Sequence, residues 1–378
     1  MTTEQPMPIL DDLARMQSVD KRNMLRLINE LPEQCETALG IGRSFALGPV
    51  ATKPNVVLFV GVGDSGLAAD MAAEALAEEV ESPVMSQHVS KMPLCVGEES
   101  LVFVIDYSGK GQTPLRACRA AQEQGATVIC VTGGGRLREA VAQPRTILNV
   151  PSGQPSRCAI GYLLLTPVAA VEHLGLAPGA VEKASHAIKL LKNIREFLRS
   201  DTSTSRNVAK RIAEALFGKT PVIYGATGYR SLVAARWKSQ IGANSKSPAY
   251  TGLFPDLVDG EICAWEQASG DCCNPAFVLL TDASDRTSEN LAIMQAAGEL
   301  VAKFGVIEAE MKGSTTIERM LYGTYLADYV SYYLAIMREV DPMEAASVRF
   351  INERLAPPEP ARVVAPPPEP QPEPGAEG

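Results

Sequence analysis

The sequence predicts an α/β protein of two tandem lobes, each a mainly parallel sheet flanked by helices on both faces. Three observations predict it. Short, uniformly apolar runs such as Val56–Val60 and Leu101–Ile105 alternate with helical stretches. Those runs end in glycine-bearing turns, Gly61-Val62-Gly63-Asp64-Ser65-Gly66 and Tyr107-Ser108-Gly109. The rhythm pauses at a long helical segment, Ala180–Arg199, and restarts at Pro221-Val222-Ile223-Tyr224-Gly225. Strands buried on both faces read as continuous apolar runs, and their alternation with helices marks crossover connections between parallel strands.

Residues 1–45 read as a helical lead-in, with Leu10, Leu13 and Met16, then Met24, Leu25, Leu27 and Ile28, at helical spacing. Asp20 is placed to cap the second stretch. The first lobe, 46–178, has expected strands at Val56–Val60, Pro83–Met85, Leu101–Ile105, Ala126–Val131 and Ile147–Val150. Helices are expected over Leu67–Ala77 and from about Thr113, and Thr132-Gly133-Gly134-Gly135 closes the fourth strand. A connecting helix fills 179–204. The second lobe, 205–355, has strands at Pro221–Gly225, Ala276–Leu280 and, more weakly, Val306–Glu310. A helix holds Ala234–Lys238, and 316–338 and 344–355 read as closing helices. Nine prolines then fall within Pro357–Gly378, interleaved with Glu. Such a segment buries too little apolar surface to order itself. It reads as a solvated, partly polyproline tail over 356–378, with docking to a partner's groove as the other reading.

A length of 378 residues allows a large core, and the formal charge of −9 argues against a nucleic-acid surface. A small anion could still bind a local cluster of donors. Met-Thr-Thr-Glu-Gln-Pro at the start lacks a signal peptide's basic and apolar regions. Runs such as Ala159–Ala170 are too short or too interrupted to span a bilayer, so no membrane role is expected. The eight cysteines are scattered, with Cys272 and Cys273 adjacent, and show no zinc-type spacing. Reduced thiols in a cytoplasmic protein, with no metal, are the expectation.

The run Gly61–Gly66 matches G-x-G-x-x-G between a strand and a helix, the phosphate turn of dinucleotide folds. That fingerprint also wants an acid at the end of the second strand, and Met85-Ser86-Gln87-His88-Val89 supplies none. No nucleotide or other cofactor is therefore expected. A second reading uses both turns. Gly63 and Ser65, with Ser108, Gly109 and Lys110, precede helices whose free N–H groups and dipoles suit a phosphate. The plainer alternative is that these are tight turns, which any parallel strand end needs.

Taken together in order and spacing, these segments resemble the bifunctional phosphoglucose/phosphomannose isomerase family. The resemblance runs from Leu10 to Leu355. Tyr107-Ser108-Gly109 matches the family's Y-S-G-N-T loop, and Gly61–Asp70 its G-M-G-G-S turn and following helix. Thr132–Leu137 is similar to T-S-G-G-K-L, and Arg157-Cys158-Ala159-Ile160-Gly161-Tyr162 to P-R-A-A-L-G-Y. In the second lobe Ala235–Gln240 and Asn244-Ser245-Lys246 resemble R-W-K-x-Q-x-N-E-N-A-K, and Phe254–Ile262 resembles F-P-E-L-N-H-N-E-I. The resemblance implies two sugar-isomerase domains of flavodoxin-like, three-layer form, a sugar-phosphate ligand and a homodimer.

It also exposes departures. The family's carboxylate base falls on Ala243, its ring-opening His on Asp259, its late Thr on Met343 and its closing-helix Lys on Asn352. Of that catalytic set only the arginine is kept, at Arg157. Moving a proton between adjacent carbons needs a base beside the substrate, and losing one costs about 10²–10⁴-fold. Asp64 replaces a glycine in the first turn, which is unfavourable beside a phosphate unless it points away or pairs with Lys110. Asp259 is the replacement acid/base candidate, although Asp-Gly is primarily turn chemistry. Arg157 either clamps an anion or makes a structural ion pair.

The leading expectation is a phosphosugar-binding protein whose isomerase chemistry is lost or altered. The alternatives are an active phosphohexose isomerase using Asp259, Asp256 or Glu266, and a non-catalytic scaffold.

Overall fold

The computed structural model describes residues 9–141, 146–268, 274–283 and 289–355. The lead-in forms α1 (Leu13–Val19), α2 (Met24–Asn29) and α3 (Leu31–Arg43). Asp20 caps α2 from three residues before the N-cap position. Asn23 is the residue at the helix entrance, in left-handed backbone. The Asp20 carboxylate accepts from the amides of Met24 (2.7 Å) and Leu25 (3.0 Å), which would otherwise lack partners.

The first sheet contains β1 (Val56–Val60), β2 (Val84–Gln87), β3 (Ser100–Ile105), β4 (Thr127–Thr132) and β5 (Ile147–Asn149). Its order is β2-β1-β3-β4-β5, with every pairing parallel. Between these strands run α4 (Asp64–Leu76), α5 (Gln112–Glu123) and α6 (Gly135–Ala140). Successive side chains of β1 point to opposite faces. Val56, Leu58 and Val60 pack with Ala117, Cys118 and Ala121 of α5 and Leu137 of α6. Val57 and Phe59 join the opposite core, with Ala68, Ala72 and Leu76 of α4.

After β5 come α7 (Ile160–His173), α8 (Ala180–Leu198), α9 (Val208–Leu216) and then β6 (Thr220–Ala226). The rest of the second lobe is α10 (Tyr229–Ser245), β7 (Tyr250–Phe254), β8 (Pro275–Asp282), α11 (Glu289–Val301), β9 (Val306–Met311) and α12 (Thr316–Met337). Its sheet runs β7-β6-β8-β9, again all parallel. Val222 and Tyr224 of β6 face Met294, Ala297 and Val301 of α11. Ile223 faces inward and shares one buried core with Phe59 of the first sheet, Trp237 of α10 and Tyr325 of α12. Both sheets lie in one compact unit ending at Met343, and a last helix, α13 (Ala346–Leu355), belongs to a separate unit.

The two-sheet architecture and the flavodoxin-like strand order agree with the sequence expectation. Strand β7 and helices α6, α7, α9 and α11 are absent from that expectation. The edge strand β7 carries Gly252 at its centre and an exposed Tyr250, so it lacks the apolar run of a buried strand. Glycine is needed there because a Cβ would lie 2.7 Å from the Tyr224 ring. The run at Ala159–Ala170 becomes α7, buried nearly all round and therefore without the amphipathic period that marks surface helices. Among the described residues no helix is long and apolar enough to cross a membrane, and the cysteines are free. Cys272, Cys273 and the tail over 356–378 lie outside the described residues.

Candidate functional site

β1 and β3 are neighbours although β2 intervenes in sequence, so connections leave their carboxyl ends in opposite directions and open a crevice there. The turns Gly61–Gly66 and Tyr107–Gly109 both sit at that crevice. Gly63 enters α4 with φ 62° and ψ −130°, and no side chain caps the helix. The first amides of α4 are therefore available to an anion. Ser65 is buried, and its Oγ accepts from the Tyr107 amide at 3.2 Å. That bond stitches the two turns together and leaves the hydroxyl proton to donate.

The second turn is held from beneath by Asp106. Its carboxylate accepts from the Ser108 amide (3.2 Å), the Ser108 hydroxyl (3.0 Å) and the Gly111 amide (2.7 Å). Ser108 Oγ in turn accepts from the Lys110 amide at 3.1 Å. The Ser108 hydroxyl proton is thus committed to the loop itself, unlike that of Ser65. Gly109 has φ 63°, and a Cβ there would lie 1.6 Å from the Gly134 carbonyl oxygen. Only glycine fits, because the loop packs directly on the turn after β4.

Arg157 reaches the same end of the sheet through Ser156, whose hydroxyl donates to Asp64 at 2.5 Å. Asp64 thereby pairs with a hydroxyl rather than with Lys110, which is exposed and makes no ion pair among the described residues. Arg157 Nε donates to Asn244 Oδ1 (2.9 Å), and its Nη2 donates to the Pro342 carbonyl (2.9 Å). Asn244 and Pro342 are the chain neighbours of Ala243 and Met343. Arg157 is thus bonded to the residue that follows position 243 and to the one that precedes position 343. Asp259 does not join them by any hydrogen bond or ion pair among the described residues. It stands exposed at the end of the 3-10 turn Asp256–Asp259. Asn352 lies on α13, in the separate unit that follows Met343.

A buried polar seam supports Arg157. Arg236 Nε and Nη2 donate to the Asp328 carboxylate at 3.0 and 2.9 Å, and Nη2 also donates to the Arg157 carbonyl at 2.7 Å. The Asn244 amide nitrogen donates to Gln240 Oε1 (3.1 Å) and Ser331 Oγ (3.0 Å), which fixes its oxygen toward Arg157. Burial pushes the Asp328 carboxyl up while Arg236 pulls it down, and the nearby Asp64 adds to the rise. Burial likewise pushes the Cys158 thiol up to about 12, the direction of a packed thiol rather than an activated thiolate.

The arrangement offers N–H donors at the head of α4, the Ser65 hydroxyl and the N–H groups of Arg157 that have no partner among the described residues. That set suits an anionic group. Position 243, next to Asn244 in sequence, holds only a methyl group, which takes no proton. Sequence reasoning missed Asp106, Ser156, Asp328 and Ser331. The Asp106-Tyr107-Ser108 spacing is an Asx-turn signal that could have found the first. The others are recruited across the fold and leave no local mark.

The chain is similar to known proteins over most of its length. Residues 205–355 match the family model of the bacterial phospho-glucose isomerase C-terminal SIS domain. A bifunctional phosphoglucose/phosphomannose isomerase of Caldicellulosiruptor bescii is 30% identical over 336 residues, 88% of this chain and 99% of the relative. One of Aquifex aeolicus is 29% identical over 79% of this chain and 90% of its own. Among solved structures, a hypothetical protein of Thermus thermophilus superposes with a TM-score of 0.71 at 15% identity, over 92% of this chain and 95% of that one. The chain belongs to the bifunctional phosphoglucose/phosphomannose isomerase family.

Proposed function

We propose that this chain binds a sugar phosphate at the switch point of its first sheet, and that its isomerase chemistry is lost or altered. The observation that carries the reading is the surroundings of Arg157. The guanidinium stands between Asn244 and Pro342, beside the two turns, while the neighbouring positions 243 and 343 hold Ala and Met. Binding needs donors and a cation, which remain. Aldose–ketose proton transfer needs a base at the substrate carbon, and Ala243 provides none. Groups that act together fail together, so what is left is expected to be binding with little turnover.

The test is calorimetric titration with fructose 6-phosphate, followed by an assay for glucose 6-phosphate and mannose 6-phosphate. Saturable binding with turnover far below that of a family isomerase is the expected result. Fast conversion would sink the loss of chemistry and turn attention to Asp259. Absence of binding to any sugar phosphate would sink the reading as a whole and favour a scaffold.

A further inference from the structure

The pair Arg236–Asp328 lies between α10 and α12, with Arg236 1% and Asp328 5% exposed. Stability alone is a poor reason for such a pair, since well-packed apolar residues often replace one without loss. Its geometry gives another reason. Arg236 uses Nε and Nη2 on Asp328 and gives a further bond, at 2.7 Å, to the carbonyl of Arg157. Arg157 sits in a short 3-10 turn, Ser156–Cys158, with no side-chain cap of its own. Its backbone is therefore anchored from α10, the helix that also presents Asn244 two turns later.

Resting on the sugar-phosphate reading above, we propose that Arg236 is a positioning residue. It fixes the Arg157 backbone so that the guanidinium meets Asn244 Oδ1 and the Pro342 carbonyl, leaving the rest of its N–H groups for the ligand. Asp328 orients the Arg236 fork, and Gln240 with Ser331 orients Asn244. Lysine could keep the charge beside Asp328, but it lacks the planar fork that reaches both partners.

Two variants of the full chain test this. Arg236→Lys keeps the charge. Arg236→Met combined with Asp328→Leu removes the pair without leaving a buried orphan charge. The first readout needs no ligand: the 15N Nε–H resonance of Arg157, assigned by its loss in Arg157→Lys. Wild type is expected to show a protected signal, with exchange at least ~10-fold faster in either variant, the scale of one charge-assisted bond. The second readout is the Kd for fructose 6-phosphate, expected to weaken about 10-fold or more. The ligand-free melting temperature of the double variant should stay close to wild type. An unchanged Arg157 signal, or an unchanged Kd, overturns the proposal, as does a Kd loss that only tracks a fall in melting temperature. If the double variant fails to fold, Arg236→Lys decides. If wild type binds no sugar phosphate, the proposed function falls, and the Arg157 signal alone judges the positioning role.

Discussion

The turn after β1 and the turn after β6 have nearly the same backbone but different surroundings. Gly63 has φ 62° and ψ −130°; Gly228 has φ 80° and ψ −151°. Each is a glycine at the head of a long helix and supplies no side-chain cap of its own. At the first turn the amides at the head of α4 face the crevice shared with Tyr107–Gly109. At the second, the Tyr229 amide donates to the carboxylate of Glu74, which reaches over from α4. The Tyr229 hydroxyl donates to Asp282 at the end of β8, and Asp282 also pairs with Arg319 at 3.4 Å. Repeating a fold has therefore not repeated a site. In the second lobe the protein's own acids engage the turn, whereas the glycine that opens α4 supplies no side-chain cap. The four departures from the family's catalytic set, at 243, 259, 343 and 352, also fall in the second half of the chain.

Restoring that half should give the largest effect. The combined variant Ala243→Glu, Asp259→His, Met343→Thr and Asn352→Lys is expected to raise fructose 6-phosphate isomerisation by roughly 10²–10⁴-fold, the worth of a general base. A folded variant with binding but no gain in a coupled assay would mean the first-lobe cradle no longer places the sugar. Next in size, Arg157→Met should weaken fructose 6-phosphate binding by about 10–100-fold, as expected for one charge-assisted contact. Calorimetry showing equal affinity would remove Arg157 from the site.

Two smaller effects test the turns themselves. Gly109→Ala should lower the melting temperature more than Gly63→Ala. Both changes force a side chain onto a positive φ that L residues rarely adopt, at roughly 1–3 kcal/mol. Only at 109 does the new methyl strike backbone, the Gly134 carbonyl, whereas nothing lies within 4 Å at 63. Equal melting curves would show that the loop moves away freely. The smallest effect concerns Glu74. Burial pushes its carboxyl up, the Tyr229 amide opposes this, and Glu78 adds to the rise. A raised carboxyl contributes stability fully below its unfolded pKa and loses it as pH climbs through the folded value. Glu74→Gln, which keeps an acceptor for Tyr229, should thus raise the melting temperature at pH 7 by roughly 1–2 °C. At pH values below the unfolded carboxyl range it should change nothing. A gain of equal size at both pH values would point away from titration at this seat.

Much of the fold was legible because parallel strands announce themselves. Val56–Val60, Ser100–Ile105 and Thr127–Thr132 are buried on both faces, so their sequences are apolar nearly throughout. β7 was not legible: as an edge strand with a glycine under the Tyr224 ring, its identity depends on a neighbour distant in sequence. α7 was hidden by the opposite problem, since a helix buried on nearly every side loses the period that identifies it. At the site, Gly63, Ser65, Ser108, Gly109 and Arg157 were named from turn chemistry and from resemblance. The structure divides them, keeping the Ser65 proton available and committing that of Ser108 to Asp106.

What the sequence determined by itself was the parallel α/β architecture, the glycine turns at strand ends and the absence of a carboxylate at 243. Each is a property of a residue or a short run, fixed by local sterics, hydrophobic pattern or side-chain chemistry. What only the tertiary structure decided was which turn stays open and what holds Arg157. Glu74 closes the second turn from another helix, and Arg236, Asn244 and Pro342 meet Arg157 across 79 to 185 residues of chain. Hydrogen bonds of that span follow from packing the two sheets on one shared core, and no local pattern encodes them.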